Sequence, residues 1–396
     1  MNILFVNDIP FNPIGGGIER VTDVLTKEFL KRGYTVYYLC AKLAESQLYL
    51  LDYAFPANLY QLPNYGFFNN EENIEFYKQL QSELNIDVVV NQRGLNGFFN
   101  ALLPITNAKK ISVIHSTPDS DIMVFLDKLI ESTAPPFVGI KKILKKSFPS
   151  LISSYWKNKV ASRVGAKYNE LAFYSNAIVT LSEGYIDILS SFINIPHQAR
   201  IVSIPNPTTF SVDDIPFESK EKIVLYVGRL EKDQKEPMRL MKIWKYLDEK
   251  YPDWQFRIVG EGGEMGNMQE YVKLHNLKNV FFEGRQSDVA QFYRKASFIC
   301  LTSNFEGFPM VIMEGMQFGC IPLTFQSYAA AYDVIDDGVN GCLIPAFDLK
   351  KYVNRLSELM SDDKKRIKMS KAAIEKVQAF SVENVVDKWE GILKRM

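Results

Sequence analysis

The sequence has few of the residues that build metal sites and disulfide frameworks. Its 396 residues include four cysteines and three histidines. The cysteines, at positions 40, 300, 320 and 342, form no CxxC pair and do not cluster with histidine. This pattern argues against a zinc site and a disulfide scaffold, and it favours reduced thiols in a cytoplasmic protein.

The sequence also has no excess of charge and no long apolar run. Lys plus Arg and Asp plus Glu both number 46, so the chain lacks the general attraction to nucleic acid that a basic protein has. No segment approaches the roughly 18 apolar residues of a membrane-spanning helix. The N-terminal MNILFVNDI begins a strand and lacks the charged start and long apolar core of a signal peptide.

Apolar residues are plentiful and make up 47% of the chain. Single cores stop growing at roughly 250–300 residues, so a chain of this length predicts two domains. Strand-like apolar segments alternate with helical patterns, and in the first half they cover residues 3–7, 35–40, 86–91, 110–116 and 176–182. The alternation predicts an α/β fold with parallel sheets, whose ligands bind beyond the carboxyl ends of the strands.

A change in composition marks the boundary between the two domains. Pro205 and Pro207 stiffen the chain, and the polar segment SVDDIPFESKEK follows them. The strand pattern then restarts with KIVLYVGRL, followed by a predicted helix over residues 238–250. We therefore predict a first domain over residues 1–205 and a second over residues 206–379.

The most informative segment covers residues 303–320, SNFEGFPMVIMEGMQFGC. It combines a strand exit, a turn with Gly307 and Pro309, and a helix, so Glu306 falls in the turn and Glu314 in the helix. Backbone N–H groups at the start of a helix attract anions, whereas carboxylates suit hydroxyl groups. Together they indicate a phosphorylated polyol such as a nucleotide sugar. An ordinary turn with two solvated glutamates is an equally good interpretation of the residues alone.

A second loop of interest contains Gly15, Gly16 and Gly17, between a strand and a helical pattern. Glycines allow a ligand to approach the backbone closely. The spacing is not GxGxxG, which disfavours a nicotinamide-binding site. A flexible connection without a ligand is the plainer alternative.

A single histidine, His115, falls at the carboxyl end of the strand predicted over residues 110–116. Most lone histidines are structural, but this end of a parallel sheet is where ligands bind, so we expect a functional role.

Asp119 and Asp121 superficially resemble a DxD metal motif. Aspartate is common in loops and helix caps, so we predict that no metal is bound there.

A basic segment lies between residues 141 and 167, where eight Lys and Arg residues occur without an acidic one. Interleaved apolar residues predict one or two amphipathic basic helices. We expect this surface to bind an anionic membrane, through Lys141, Lys142, Lys145, Lys146, Trp156 and Lys157. A solvated basic face is the alternative, and nucleic-acid binding is disfavoured because no recognition motif accompanies the charge.

Several segments of the sequence resemble one known family. EGFPMVIME, from Glu306 to Glu314, closely resembles the E-x7-E motif of retaining GT-B glycosyltransferases of family 4, the glycosyl transferases group 1. GGGIERV, GRLEKDQK and IPNP are similar to the family's first glycine loop, diphosphate-binding loop and interdomain linker. The resemblance implies two Rossmann-like domains facing a cleft. It also implies that a C-terminal helix over residues 380–396 crosses back to the first domain.

The resemblance implies roles for individual residues. Glu306 would lie by the donor sugar with His115 nearby, and Glu314 would hold the ribose hydroxyls. Arg229 and Lys235 would hold the diphosphate, so the implied catalytic group is Glu306, His115, Arg229 and Lys235. The implied donor-binding residues are Gly16, Gly17, Asn206, Gly228, Arg229, Lys235, Gly284, Arg285, Glu306, Gly307, Phe308, Pro309, Met310 and Glu314.

The sequence departs from the family pattern in three places. Arg229 and Lys235 are separated by one residue more than in the commonest form, which leaves Lys232 as an alternative to Lys235. Pro207 replaces the usual glycine of the linker. The loop that usually carries two glycines and a glutamate here has Ala330, Ala331 and Asp333, which predicts looser phosphate contacts.

The function implied by the resemblance is transfer of a hexose-type sugar from a nucleotide sugar, expected to be UDP-linked, to an acceptor hydroxyl. The expected acceptor is a lipid-linked or cell-surface glycan of polysaccharide biosynthesis, such as lipopolysaccharide or capsule, and no cofactor is expected. We expect a cytoplasmic protein held at the inner face of the membrane. A nucleotide-sugar epimerase of the same fold and an inactive scaffold subunit of a transferase complex are the alternatives.

Overall fold

The computed structural model of the protein describes residues 1–64, 70–96, 98–105, 107–124, 149–193, 199–211 and 220–396. The side chains of residues 96, 98, 99 and 149–158 lie outside this description. The chain divides into two compact units between Ile204 and Pro205. The first unit comprises Met1–Ile204 and Ile392–Met396, and the second comprises Pro205–Gly391.

The first unit is built on a parallel sheet of seven strands, in the order β3-β2-β1-β4-β5-β6-β7. The strands are β1 Asn2–Asn7, β2 Thr35–Cys40, β3 Asn58–Gln61, β4 Val88–Asn91, β5 Lys109–Ile114, β6 Ala177–Thr180 and β7 Arg200–Ser203. The α-helices in its described residues are α1 Gly17–Lys31, α2 Glu71–Glu83, α3 Pro149–Tyr174 and α4 Glu183–Ser190. Short 3₁₀ helices cover Glu45–Leu51, Gly94–Asn96, Phe98–Ala101 and Leu103–Ile105.

The second unit is built on a parallel sheet of six strands, in the order β10-β9-β8-β11-β12-β13. The strands are β8 Glu221–Val227, β9 Gln255–Val259, β10 Val280–Gly284, β11 Ala296–Cys300, β12 Ile321–Phe325 and β13 Cys342–Ile344. Its α-helices are α5 Met238–Trp244, α6 Met265–His275, α7 Ala290–Lys295, α8 Met310–Gln317, α9 Ala330–Val334, α10 Leu349–Met360, α11 Asp363–Val377 and α12 Val382–Leu393. A 3₁₀ helix covers Gln378–Phe380.

The central strands of both sheets are buried on both faces, as their continuous apolar sequences predict. All residues of β4 and β11 are buried, and so are five of the six residues of β1. Helices that cover the two faces of a parallel sheet produce this burial. The prediction of two Rossmann-like α/β domains with parallel sheets is confirmed.

The strand order reverses at one point in each sheet. In the first unit the neighbours at that point are β1 and β4, and in the second they are β8 and β11. Loops leaving two such strands diverge to opposite faces and open a crevice at the carboxyl edge, where ligands of doubly wound sheets bind. The fold therefore predicts one candidate binding region in each unit.

The predicted helix over residues 238–250 is wrong in its length, because α5 ends at Trp244 and turns follow it. Asp248, which is 4% exposed, accepts hydrogen bonds from the Trp244 indole and from the backbone N–H groups of Lys278 and Asn279. A buried carboxylate with three donors is strongly stabilised, and these partners draw the chain out of the helix.

The basic segment is only partly within the described residues. Lys141, Lys142, Lys145 and Lys146 lie outside them. Trp156 and Lys157 belong to the backbone of α3, but their side chains are outside the description. Among the described residues, no helix is both long enough and apolar enough to span a membrane.

Candidate functional site

The candidate site of the second unit lies where two loops leave neighbouring strands. One loop follows β8 and carries Gly228, Arg229 and Lys235, and the other follows β11 and carries residues 303–309. Since β8 and β11 are the pair at which the strand order reverses, the two loops border the same crevice. The fold thus brings together two motifs that are about seventy residues apart in the sequence.

Lys235 and Glu306 form an ion pair that is almost buried. The Lys235 Nζ lies 2.6 Å from Glu306 Oε1, and the side chains are 14% and 5% exposed, respectively. Ser303, which is fully buried, donates a second hydrogen bond of 2.6 Å to the same oxygen. Charge-assisted hydrogen bonds of this length hold a carboxylate in one orientation. The position of Glu306 is therefore determined by residues on both loops.

Gln234 connects this pair to Arg229. The Gln234 side-chain oxygen accepts from Arg229 Nη2 at 2.9 Å, and its nitrogen lies 3.4 Å from Glu306 Oε2. Arg229 is 64% exposed and also donates to Glu231 at 3.1 Å. The guanidinium therefore presents donor groups to solvent at this edge, beside the Lys235 ammonium. Two cations at this position suit a diphosphate.

The main chains of the two loops are joined to each other. Asn304 donates its backbone N–H to the Gln234 carbonyl at 2.7 Å and its side-chain amide to the Asp233 carbonyl at 2.9 Å. Thr302 Oγ1 donates to the Glu236 carbonyl at 3.1 Å. These contacts keep the Arg229 and Glu306 loops in one arrangement before any ligand binds.

The turn before α8 has the backbone groups that the sequence predicted at a helix N-terminus. The N–H groups of Gly307 and Phe308 have no hydrogen-bond partner among the described residues, whereas the Met310 N–H donates to the Phe308 carbonyl at 2.9 Å. Pro309 precedes the helix and has no N–H. The N–H groups of Gly307 and Phe308 are therefore available to an anion.

Glu314 lies on α8 and is 2% exposed. Its Oε1 accepts from Thr209 Oγ1 at 3.0 Å, and its Oε2 accepts from the Tyr293 hydroxyl at 2.9 Å. Thr209 follows shortly after Asn206, which is itself buried. In this structure Glu314 therefore binds hydroxyl groups of the protein itself and attaches the start of the second unit to α8.

Two glycines that the sequence analysis did not select allow the Arg229 loop to lie against β9. A Cβ at Gly260 would lie 1.9 Å from the Gly228 carbonyl oxygen, and one at Gly262 would lie 2.5 Å from the Leu230 carbonyl oxygen. Gly260 has a φ of +144°, which other residues rarely adopt. The GEG pattern of residues 260–262, immediately after the apolar segment that forms β9, was the available signal.

The remaining predicted residues of the second unit lie at the same carboxyl edge or close to it. Gly284 ends β10 with a φ of +67° and accepts a hydrogen bond from the Gly260 N–H at 2.8 Å. Arg285 lies 3.5 Å from Glu261, and both are exposed. Ala330 and Ala331, which were predicted to lie in a loop, begin the helix α9 and are fully buried. Their methyl groups pack in the interior of the unit.

In the first unit, the glycine loop and β1 surround a buried carboxylate. Gly16 has a φ of +159° and precedes α1, which begins at Gly17. Glu19 is 4% exposed and accepts from Asn7 Nδ2 at 2.8 Å. A Cβ at Gly16 would lie 2.9 Å from Glu19 Oε2, so the glycine makes room for this carboxylate. Burial raises the pKa of Glu19.

His115 follows β5 at the same edge of the first sheet. Its Nε2 lies 2.6 Å from Gln92 Oε1, and its Nδ1 is buried with no hydrogen-bond partner among the described residues. Burial, together with the charge of Arg93, lowers the pKa of His115 to about 3. The imidazole is therefore neutral at pH 7, and because the Gln92 oxygen only accepts, Nε2 carries the proton. Nδ1 remains as an acceptor.

The structure gathers the predicted residues into two groups, each within one unit. Arg229, Lys235 and Glu306 come together in the second unit, and Gly16, Gly17 and His115 lie along one sheet edge of the first. Sequence analysis missed the polar residues that support them, which are Asn7, Asp8, Glu19, Gln92, Arg93, Gln234 and Ser303. Asn7 ends β1, and Asp8, Gln92 and Arg93 lie within two residues of a strand end, which was the signal for these four. In the described part of the chain, no group of three His, Cys, Asp or Glu residues could hold a metal ion.

Comparison with known families identifies the second unit. Residues 208–376 match the family model of the glycosyl transferases group 1. The second unit is a glycosyl transferases group 1 domain. The matched range contains both loops of the Lys235–Glu306 pair, so the candidate site lies within the group 1 domain.

Two curated relatives illustrate what this chain is similar to. An uncharacterized glycosyltransferase of Haemophilus influenzae is 31% identical over 49% of this chain and 55% of its own. GalNAc-α-(1→4)-GalNAc-α-(1→3)-diNAcBac-PP-undecaprenol α-1,4-N-acetyl-D-galactosaminyltransferase of Campylobacter jejuni is 30% identical over 48% of this chain and 53% of its own. The chain thus spans about half the length of these relatives in the matches.

The solved structures show a similar fold over the whole chain. The Anabaena protein Alr3699/HepE, in complex with UDP and glucose, has a TM-score of 0.72 and 15% identity, with 100% of both chains covered. The two Rossmann-like domains of the chain are those of the GT-B fold.

Proposed function

We propose that this protein is a retaining glycosyltransferase that moves a hexose-type sugar from a nucleotide sugar to an acceptor hydroxyl. One observation carries the proposal. Lys235 pairs with Glu306, and Gln234 links Glu306 to Arg229, at the carboxyl edge of a group 1 domain. Two cations, a carboxylate and the N–H groups of Gly307 and Phe308 suit the diphosphate and the sugar hydroxyls of one donor molecule.

The proposed reaction is a substitution on one face of the sugar. The acceptor oxygen attacks the anomeric carbon while the bond from that carbon to the diphosphate oxygen breaks, and the acceptor proton moves to the departing phosphate. Arg229 and Lys235 stabilise the negative charge that grows on the diphosphate. Glu306 binds sugar hydroxyls and is held for this by Lys235 and Ser303.

His115 and the glycine loop have the corresponding roles in the first unit. A neutral imidazole with an unpartnered Nδ1 accepts a hydrogen bond, and sugar hydroxyls are suitable donors. Gly16 and Gly17 allow close approach to the donor diphosphate. In the second unit, Gly228, Gly284 and Arg285 contribute to the nucleotide end of the donor.

We propose a UDP-linked donor and a lipid-linked or cell-surface glycan as the acceptor, within polysaccharide biosynthesis. UDP is supported by the nucleotide present in the Anabaena structure. A lipid-linked acceptor is supported by the undecaprenol in the name of the Campylobacter relative. The reaction as written uses no metal or cofactor, so turnover should persist in the presence of a chelator.

A thermal-shift panel of UDP, GDP, ADP and CMP tests the donor site. A ligand at a hundred times its Kd stabilises a protein by about 2.7 kcal/mol, a shift of several degrees. We expect a shift with UDP that is lost in Arg229→Ala and retained in Lys295→Ala. Lys295 is a suitable control because it is also 64% exposed and also lies near a glutamate.

The outcome of the panel decides between the transferase and its alternatives. A shift with GDP or ADP instead of UDP would replace the proposed donor, and no shift with any nucleotide would favour an inactive scaffold subunit. Glu314→Ala should also lose the shift if Glu314 holds the ribose hydroxyls. Release of free nucleotide only when an acceptor is present would separate a transferase from an epimerase.

We also propose that the basic segment holds the protein at an anionic membrane. Each Lys or Arg near such a surface contributes about 1 kcal/mol, so reversing the charge at Lys141, Lys142, Lys145 and Lys146 should abolish binding to anionic liposomes. The control is charge reversal at four exposed lysines of the second unit, Lys350, Lys351, Lys364 and Lys368. Equal binding by both variants would contradict the proposal.

A further inference from the structure

The amide group of Gln234 lies between opposite charges. Its oxygen accepts from Arg229 Nη2 at 2.9 Å, and its nitrogen lies 3.4 Å from Glu306 Oε2 and 3.5 Å from the Phe305 carbonyl oxygen. A guanidinium only donates and a carboxylate only accepts, so the neighbours define which end of the amide faces each partner. A neutral amide can serve both partners, whereas a charged side chain would repel one of them.

The backbone of Gln234 is held in place independently of its side chain. Its carbonyl accepts the Asn304 N–H at 2.7 Å, and the preceding Asp233 carbonyl accepts from the Asn304 side chain at 2.9 Å. The side chain therefore extends from an anchored point on one loop to Glu306 on the other. Its contacts require little further ordering when a ligand binds.

Arg229 has a competing partner at this edge. Glu231 accepts from Arg229 Nη1 at 3.1 Å, and the Arg229 side chain is 64% exposed. An exposed ion pair of this kind contributes little to stability and does not define one position of the guanidinium. Without Gln234, the remaining side-chain hydrogen bond of Arg229 among the described residues would be to Glu231, which lies on its own loop.

We propose that Gln234 is a positioning residue for donor binding, which holds the Arg229 guanidinium beside Glu306 so that both meet a nucleoside diphosphate sugar together. The proposal rests on the proposed function, since it assigns Gln234 to the same site. It adds a residue of the GRLEKDQK loop that was not among the predicted site residues, and it explains the extra residue between Arg229 and Lys235. The longer loop places an amide at the position from which both partners are reached.

The first test is the binding of UDP by Gln234→Met, measured by calorimetry. Methionine has a similar length but no hydrogen-bonding amide. The Arg229 guanidinium should therefore lie beside Glu306 for a smaller fraction of the time. A lost hydrogen bond to a charged group weakens binding by about tenfold. If a sugar donor is established, kcat should fall more than KM changes, because Arg229 acts on charge that develops during the reaction. The control is Gln291→Met, at an exposed glutamine on α7.

The second test uses the pH dependence of Gln234→Glu. The charged groups in contact with the Gln234 side chain are Arg229 and Glu306. Their own partners are Glu231 and the Tyr226 hydroxyl, which contact Arg229, and Lys235, which contacts Glu306. A protonated glutamic acid can accept from Arg229 and donate to Glu306, as glutamine does. Once ionised, it repels Glu306 and competes with the diphosphate for Arg229.

The UDP Kd of Gln234→Glu, divided by that of the wild type at the same pH, should therefore rise with pH. Dividing by the wild-type value removes the titration of UDP itself. The same ratio for Gln291→Glu should not depend on pH. A residue needed only for folding would weaken binding by the same factor at every pH.

The results separate the two proposals. If the wild type binds UDP and the Gln234→Met and Gln234→Glu variants bind it equally well at all pH values, the role of Gln234 is wrong and the transferase proposal stands. A pH-independent ratio, or a Gln234→Met variant that melts at a much lower temperature than the wild type, would assign Gln234 to folding alone. If the wild type binds no nucleotide, both proposals fail.

Discussion

The two sheets share the order of their first six strands, yet their carboxyl edges differ in chemistry. At the edge of the first sheet, Glu19 is buried beside Asn7, and His115 is neutral. At the edge of the second, Arg229 is exposed and Lys235 is paired with Glu306 across two loops. The fold provides the crevice in both units, and the loop residues decide what each can bind.

The carboxyl edge of the first sheet also has an ion pair, which joins the loops after two of its central strands, β1 and β4. Arg93 Nε lies 2.6 Å from Asp8 Oδ2, which links the loop after β4 to the loop after β1. The comparison suggests that the first edge is held together by its charges, whereas the second presents cations that a diphosphate can engage. Substitutions at matched positions can test this difference.

The largest expected effect on stability distinguishes the two cations of the second edge, Lys235 and Arg229, by substituting each alone. Lys235→Ala leaves the buried Glu306 without its counter-charge and should reduce the free energy of unfolding by about 3–5 kcal/mol. Arg229→Ala removes an exposed side chain and should change it by less than about 0.5 kcal/mol. Urea unfolding measures both values, and UDP titration should show weaker binding in both variants. Equal losses of stability would mean that the Lys235–Glu306 pair is no more than a surface contact.

The next effect concerns the close approach of β9 to the Arg229 loop. In Gly260→Ala the new methyl group would meet the Gly228 carbonyl oxygen at 1.9 Å, and the backbone would keep an unfavourable positive φ. We expect a loss of about 1–3 kcal/mol in unfolding free energy, together with weaker UDP binding because the loop must move. Gly266→Ala on α6 is the control. It has no atom within 4 Å of the new Cβ and should stabilise the helix.

The smallest effect concerns the neutral histidine of the first edge. The pKa of His115 is lowered to about 3 in the folded protein, so only the unfolded chain gains a proton as the pH falls below the usual histidine pKa. Below that pH the unfolded state binds more protons than the folded state, so the free energy of unfolding decreases as the pH decreases. Wild type should lose about 1–2 kcal/mol more than His115→Asn between about pH 7.5 and pH 5.

Thermal unfolding of both proteins at the two pH values measures this difference. His275→Asn removes a histidine of the second unit and is the control. Parallel curves for wild type and His115→Asn would show that the buried imidazole does not contribute to the acid sensitivity of the first unit.

Much of the fold was accessible from the sequence, because apolar residues in short runs report strands that are covered on both faces. The runs 35–40 and 110–116 correspond closely to β2 and β5. The strand β3, Asn58–Gln61, was not predicted, and only one of its four residues is apolar in the usual sense, with a tyrosine beside it. An edge strand is covered less completely, and its four residues are half-buried or exposed, so the hydrophobic pattern is weak.

The candidate site was accessible in part. The Glu306 segment and the Arg229 loop were selected because their residue types and turns suit a phosphorylated polyol. The contacts between these two segments could not be predicted, because a glutamine in a loop carries no signal of a functional role in the sequence. Its role appears only when its amide is found between a guanidinium and a carboxylate.

The sequence by itself determined the alternation of strands and helices, the neutral overall charge and the presence of a group 1 motif. These properties are local or additive, so they can be obtained by counting and by spacing. The tertiary structure alone decided that Lys235 meets Glu306, that Gly260 lies against Gly228, and that Glu314 binds Thr209 and Tyr293. These contacts join segments far apart in the chain, and loop paths and side-chain directions, which periodicity does not encode, determine them.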